Sequence, residues 1–307
     1  MHWGIDLGGT KIEIIGLDAQ SNECYRKRIA SPQGDYAMTL HTLEQLILEA
    51  EQHCQTQGSV GIGIPGCIDP SSQRVKNANS TWLIGEALQA DLETRLNRPI
   101  AIANDADCFT LSEATDGAGR NHACVFGVIL GTGVGGGISI DQRVTTGPNS
   151  IRGEWGHNPL PWQTDDDDVA DCYCGKRGCI ETFLSGPGLL RQYASKTDHH
   201  ARKLDRVEAL IARAQDGDVQ ALACLQRYHQ HLARALASVI NVLDPDCIVL
   251  GGGLSNIPSL YTDIRAALNQ YVFSDQCLTP IVPARYGDAS GVRGAAWLGA
   301  KQQENSA

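Results

Sequence analysis

No apolar run in this 307-residue chain approaches the about 20 residues that a membrane-spanning helix needs, so a membrane span is excluded. Its first residues, Met1-His2-Trp3-Gly4-Ile5-Asp6, carry neither the basic nor the apolar segment of a secretory leader, and the expected location is cytoplasmic. Basic residues are in deficit: 25 Lys and Arg face 35 Asp and Glu, giving a formal net charge of -10. A basic face for nucleic acid is therefore not expected. The chain also lacks a G-x-x-x-x-G-K-[ST] phosphate loop and any long Pro- or Ser-rich linker. Its 11 cysteines do not read as a disulfide framework. Cys67, Cys108, Cys124, Cys224 and Cys247 lie in apolar runs of a chain large enough to build a core without staples, so they are expected as reduced core residues.

What is present is a repeated strand and helix pattern. His2 to Asp6, Ile12 to Leu17 and Glu23 to Ile29 read as strands of two successive hairpins. Leu40, Leu43, Leu46, Ile47, Ala50 and Cys54 follow a helical period, then come a strand at Val60 to Ile64, a helix at Leu88 to Leu96 and a strand at Ile100 to Ala103. The order begins again with a strand through Val125 to Leu130, a glycine turn over Gly131 to Gly137 and a strand at Ile138 to Ile140. Helices from Leu184 to Leu243, a strand at Cys247 to Leu250 and a last helix at Val292 to Ala300, packed on the first lobe, complete the reading. The expected organisation is α/β with two related lobes: 1–117 plus 289–307, and 118–288, with Gly117-Ala118-Gly119 as a hinge. Asp165 to Asp168 is expected as a solvated acidic loop, and His199-His200 as exposed.

Chemistry concentrates in three places. Glu154-Trp155-Gly156-His157 followed by Cys172-Tyr173-Cys174-Gly175-Lys176-Arg177-Gly178-Cys179-Ile180-Glu181 supplies an imidazole and three thiols, a tetrahedral set for structural Zn²⁺. Buried or redox-paired cysteines near an unrelated histidine are the competing explanation. Gly175 and Gly178 favour zinc, because they permit the tight turn that converges Cys174 and Cys179 on one ion. The metal would fix a loop that aims Glu154 and Glu181 at a ligand.

Asp6-Leu7-Gly8-Gly9-Thr10-Lys11 places an acid, two glycines, a hydroxyl and an ammonium at a strand end. Glycine amides can approach phosphate oxygens, Thr10 and Lys11 add donors, and Asp6 can hold Mg²⁺. Gly131-Thr132-Gly133-Val134-Gly135 forms the corresponding turn of the second lobe, and Gly252 and Gly253 offer flat backbone for an adenine or ribose. A plain hairpin and a plain strand-to-helix turn are the competing readings. Asn104-Asp105 follows a strand and precedes a helical pattern, the usual position of ligand groups in open α/β sheets. Asp105 is the candidate base, with a helix N-cap as its ordinary alternative.

Together these segments, with Gly63-Ile64-Pro65-Gly66, resemble the ROK family of sugar kinases and repressors over essentially the whole chain. Lys76 to Trp82 and Gly156 to Trp162 further resemble its bacterial fructokinase or mannofructokinase branch. The resemblance implies an actin-like ATPase (ribonuclease H-like) fold with a cleft between the lobes, ATP with Mg²⁺, structural Zn²⁺ and commonly a homodimer. It implies a hexose held by Gly66, Asn79, Asn104, Asp105, Glu154, His157 and Glu181, and transfer of the γ-phosphoryl group to the 6-hydroxyl of fructose or, second, mannose. Glucokinase and N-acetylhexosamine kinase are the enzymatic alternatives. A sugar-responsive regulator is the non-catalytic one, disfavoured because only five residues precede Asp6, too few for a DNA-binding helix-turn-helix.

Overall fold

The computed structural model describes residues 1–196 and 204–306, so His199 and His200 lie outside the described residues. The chain begins with the meander β1 (His2–Leu7), β2 (Lys11–Leu17) and β3 (Glu23–Ala30), followed by α1 (Tyr36–Cys54), β4 (Ser59–Ile64), the short hairpin β5 (Cys67–Ile68) and β6 (Val75–Lys76), α2 (Leu88–Leu96), β7 (Ile100–Asn104) and α3 (Asp105–Thr115). The order restarts with β8 (Cys124–Leu130), β9 (Val134–Ile140) and β10 (Arg143–Val144). Helices α4 (Ile180–Leu184), α5 (Gly186–Ser195), α6 (Val207–Gln215) and α7 (Val219–Leu243) follow, then β11 (Cys247–Gly251), α8 (Leu260–Leu268), β12 (Ile281–Pro283) and α9 (Ser290–Ser306).

Two five-stranded sheets share one topology, β3-β2-β1-β4-β7 and β10-β9-β8-β11-β12. In the first, β1 runs antiparallel to β2 and parallel to β4; in the second, β11 runs parallel to both β8 and β12. This duplicated α/β core is the actin-like ATPase architecture expected from the resemblance. Among the described residues, no helix is long and apolar enough to cross a membrane.

Residues group into two compact units, one of Met1–Ala123, Gly137–Arg152 and Ala284–Ala307, the other of Cys124–Gly136 and Gly153–Pro283. In the first unit, Ile5, Leu7, Ile12 and Ile14 pack against Leu43, Ile47 and Leu92 on one side of the sheet. Ile15 and Leu17 meet Leu111, Val292 and Ala296 on the other. Each such fully buried aliphatic side chain contributes about 1.5–3 kcal/mol of transfer free energy. Helix α9 lies unusually close to its neighbours: a Cβ at Gly61 would sit 2.0 Å from the Ala295 carbonyl oxygen, and one at Gly294 1.6 Å from that of Cys108.

Glu113 of α3 is fully buried and is surrounded by donors. Its carboxylate accepts from the backbone N–H of Ala118 (2.8 Å) and Arg285 (3.0 Å) and from Ser290 Oγ (2.7 Å). Gly119 N–H donates to its carbonyl at 2.8 Å. The Gly117-Ala118-Gly119 segment, expected as a hinge, is therefore fastened to α3 and to the start of α9.

The glycine-rich stretch after β8 differs from expectation. The turn is confined to Gly131, Thr132 and Gly133, and β9 begins at Val134, so Gly135, Gly136 and Gly137 are strand residues. Close packing explains Gly136 and Gly137: a Cβ at Gly136 would meet the Trp155 ring at 2.7 Å, and one at Gly137 the Thr110 hydroxyl at 2.5 Å. Within the acidic run Asp165 and Asp166 are exposed, as expected of a solvated loop, but Asp167 and Asp168 are paired. Asp167 accepts from Arg234 Nη2 at 2.9 Å and lies 2.8 Å from His231 Nε2, and Asp168 pairs with Arg191 at 2.5 Å. Both Asp167 partners come from the buried face of α7, three positions apart, a pairing that the acidic run did not reveal.

Candidate active site and metal centre

In the first unit, β1 carries Asp6 to the Gly8-Gly9 turn, which the Gly8 N–H closes by donating to the Lys11 carbonyl at 3.0 Å. Asp6 stands directly across from Glu13 of β2. Burial, then the Glu13 charge, push the Asp6 pKa up, with Lys11 and Arg28 partly offsetting them. Burial also opposes ionisation of Glu13, but bonds from Arg28 (2.6 Å) and Arg26 (2.5 Å) prevail and hold its carboxyl below the ordinary range. Glu13 is thus neutralised, whereas Asp6 is a half-buried carboxylate whose charge a cation would relieve, a donor suited to Mg²⁺. Thr10 and Lys11 are exposed beside it.

Two further strand ends of this unit converge. Asn104 Nδ2 donates to the Gly66 carbonyl at 3.1 Å, and Asn79 N–H donates to the Pro65 carbonyl at 3.0 Å. Gly66 cannot carry a side chain, because a Cβ would lie 2.8 Å from the Lys76 carbonyl oxygen. The N-cap of α3 is Asn104, whose Oδ1 accepts from Ala106 N–H at 2.8 Å. Asp105 is therefore the first helical residue and exposed, with Oδ1 also accepting from Ala106 N–H at 2.8 Å.

In the second unit the Gly131–Gly133 turn is closed by Gly131 N–H donating to the Gly133 carbonyl at 3.0 Å. Its exit is held by Glu181, whose Oε2 accepts from Val134 N–H at 2.9 Å. A Cβ at Gly133 would lie 2.7 Å from that oxygen, so a side chain there would displace the Glu181 carboxylate. Trp155 Nε1 donates to the Gly135 carbonyl at 3.1 Å, which ties the segment bearing Glu154 and His157 to β9. Gly252, at a φ of +81° and with a Cβ position 2.3 Å from the Leu130 carbonyl oxygen, is required by backbone geometry; Gly253 presents an open face.

His157, Cys172, Cys174 and Cys179 come together, all four ligand atoms within 4.8 Å of one another. With Zn–S of about 2.3 Å and Zn–N of about 2.0–2.1 Å, a tetrahedral site spaces its ligand atoms about 3.6–3.8 Å apart. Cys174 Sγ to Cys179 Sγ and Cys172 Sγ to His157 Nδ1 are each 3.6 Å, so the donor set fits Zn²⁺. Gly175 and Gly178 turn the chain at φ of +84° and +71°, a region that disfavours side chains. The Lys176 backbone N–H lowers the pKa of the exposed Cys174 thiol, whereas burial raises that of Cys179. The Nε2 of His157, a residue expected both to bind zinc and to contact a sugar, lies 3.0 Å from the hydroxyl of Tyr173. Sequence reasoning passed over Tyr173 and Trp155 because neither is a metal ligand or a titratable sugar donor; their places, between two ligands and beside a third, were the available signal.

Comparison with known proteins follows the same lines. The family model described as "ROK family" matches residues 2–302. An N-acetyl-D-glucosamine kinase from Yersinia enterocolitica is 41% identical over 303 residues, covering 97% of this chain and 99% of the relative. A ROK hexokinase from Thermus thermophilus superposes with a TM-score of 0.87 at 26% identity over 99% of both chains. A ROK family glucokinase from Streptomyces griseus, in complex with glucose and AMPPNP, gives 0.76 at 26% over 98% of this chain and 99% of that one. With a family match over nearly its whole length and a full-length relative at 41% identity, this chain is a member of the ROK family.

Proposed function

We propose that the chain is an ATP-dependent N-acetylhexosamine kinase, with N-acetylglucosamine as its sugar. The observation that carries this reading is the 41% identity, over 97% of the chain, to a protein named N-acetyl-D-glucosamine kinase. The expectation of fructose is corrected accordingly. Several residues of the segments behind it serve packing: Trp82 Nε1 donates to Thr39 at 3.1 Å, Lys76 pairs with Asp69 at 3.0 Å, and the Pro161 carbonyl accepts from Arg234 at 2.8 Å. Residues retained for such reasons do not report which sugar is bound.

In the proposed reaction Asp105 orients the sugar 6-hydroxyl and accepts its proton as the new O–P bond forms and the bond from the γ-phosphorus to the β,γ-bridging oxygen breaks, releasing ADP. A carboxylate of pKa about 4 cannot remove that proton beforehand, so transfer accompanies phosphoryl transfer. Gly66, Asn79 and Asn104, and separately Glu154, His157 and Glu181, are the proposed sugar donors and acceptors. Fixed polar groups of this kind discriminate between hydroxyl patterns, because an unpaired one is costly. Gly8, Gly9, Thr10 and Lys11, with Gly131, Thr132 and Gly133, are assigned to the phosphates, and Gly252 and Gly253 to the nucleoside. Gly135, at the start of β9, is assigned to the phosphates as well. Mg²⁺ at Asp6, when bound, supplies charge neutralisation on the phosphates. Zn²⁺ on its four ligands has no open position and supplies rigidity.

Phosphorylation is to be measured with ATP and Mg²⁺ across N-acetylglucosamine, N-acetylmannosamine, glucose, fructose and mannose. N-acetylglucosamine should give the highest kcat/KM, and Asp105→Asn should lower kcat about 10²–10⁴-fold with sugar binding retained. Faster turnover of fructose or mannose would reject the sugar assignment, and sugar binding without turnover in the unsubstituted protein would favour a sensor.

A further inference from the structure

We propose that Tyr173 is a sugar-contacting, specificity-determining residue, whose phenol covers the Nε2 position of His157 until the sugar takes it. The inference rests on the sugar-kinase reading above and names a group that reading does not contain. Tyr173 sits between Cys172 and Cys174, so its backbone is fixed by the cluster while its side chain is 83% exposed. An aromatic ring held out in water by a rigid backbone leaves apolar area that an incoming ligand recovers on binding.

The ring has nevertheless a defined partner. It stands edge-on to His157, with centroids 5.1 Å apart and an interplanar angle of 89°, and its hydroxyl is 3.0 Å from Nε2. His157 Nδ1 is turned toward Cys172 Sγ at 3.6 Å, which leaves Nε2 as the nitrogen a sugar hydroxyl can use. That nitrogen is the one Tyr173 holds. The phenol thus already stands on one polar group assigned to the sugar, His157 Nε2. Moving aside from Nε2, the ring offers an apolar face to a 2-acetamido methyl group, which glucose lacks. Tyr173 would therefore favour the acetamido sugar.

The test compares Tyr173→Ala and Tyr173→Phe with the unsubstituted holoprotein, by kinetics on N-acetylglucosamine and glucose, by calorimetric sugar binding and by zinc content. Tyr173→Ala should raise the KM and Kd for N-acetylglucosamine about tenfold and change glucose less than about twofold, with ATP KM and zinc unchanged. Tyr173→Phe keeps the ring and should stay within about twofold of the parent on N-acetylglucosamine. Unchanged binding in zinc-replete Tyr173→Ala would overturn the proposal. So would a KM that rises only in proportion to zinc loss, which would make Tyr173 a supporting partner of the metal ligands. A wrong sugar assignment appears in the unsubstituted protein alone, and a wrong role for Tyr173 only in the ratio of variant to parent.

Discussion

The two glycine hairpins occupy equivalent places in two sheets of the same topology, yet they are held differently. The turn after β1 is closed by its own backbone, Gly8 to Lys11, and is surrounded by charges that neutralise one another across the strands. The turn after β8 is closed by its backbone too, but its exit is tied to Glu181, two residues beyond a metal ligand. The first loop is held from the segment after β3, where Gln33 Nε2 donates to the Gly9 carbonyl at 3.0 Å, and the second from the neighbourhood of the His and Cys cluster. A duplicated fold has kept the backbone device and changed what stabilises it.

Removing the cluster should break this symmetry most. Cys179→Ser, or chelation, should release Glu181 and the Gly131–Gly133 turn together, raising the KM for sugar and for ATP at least about tenfold, because metal binding and local folding are coupled. Hydrogen exchange should quicken around residues 131–134 and 154–181 and stay slow across β1 and β2. Equal loosening of both hairpins, or unchanged kinetics in protein shown to be zinc-free, would refute the difference.

A sharper and smaller test is steric. Gly133→Ala puts a methyl group 2.7 Å from Glu181 Oε2, so that carboxylate must leave the Val134 N–H. Gly131→Ala adds a methyl group to open space. The first should raise the KM for both substrates by about three- to tenfold, the second by less than about twofold, a cost in line with losing one charge-assisted hydrogen bond.

The smallest effect expected is of pH. Burial lowers the His231 pKa despite the Asp167 bond, with Arg234 and Arg227 adding to the depression. A histidine whose folded pKa is depressed contributes stability that is fully present above its unfolded value of 6.5 and is lost as pH falls through that value toward the folded one. Amides of residues 162–168 should lose a few-fold of exchange protection between pH 7.5 and 5.5 after correction for intrinsic rates, while β1 and β2 should not. His231→Gln should remove the pH dependence.

The sequence revealed those features that rest on local pattern. Strand alternation and turn glycines located the repeated core, and ligand spacing located the four-residue cluster, because both depend on residues close together in the chain. What it hid depends on distant neighbours. Gly136 and Gly137 looked like turn residues, but Trp155 and Thr110 require bare backbone there. Asp167 looked solvated, but its partners are some 64 and 67 residues away. Asp105 competed with a capping role that its neighbour Asn104 performs instead. The segment Lys76 to Trp82 hid a distant partner in the same way: Trp82 bonds Thr39 and packs against the core.

Glu113 sets an order of events in synthesis. Its carboxylate is satisfied by Arg285 and Ser290, and the face of β1 and β4 beside it is filled by α9. A ribosome that has emitted the first 123 residues has therefore made a sheet whose α9-covered face is still open, and a buried acid that has the Ala118 N–H but not the donors of Arg285 and Ser290. Residues up to Pro283 can emerge and pack among themselves before that unit is complete. The part of the chain that is translated first is the part that finishes folding last.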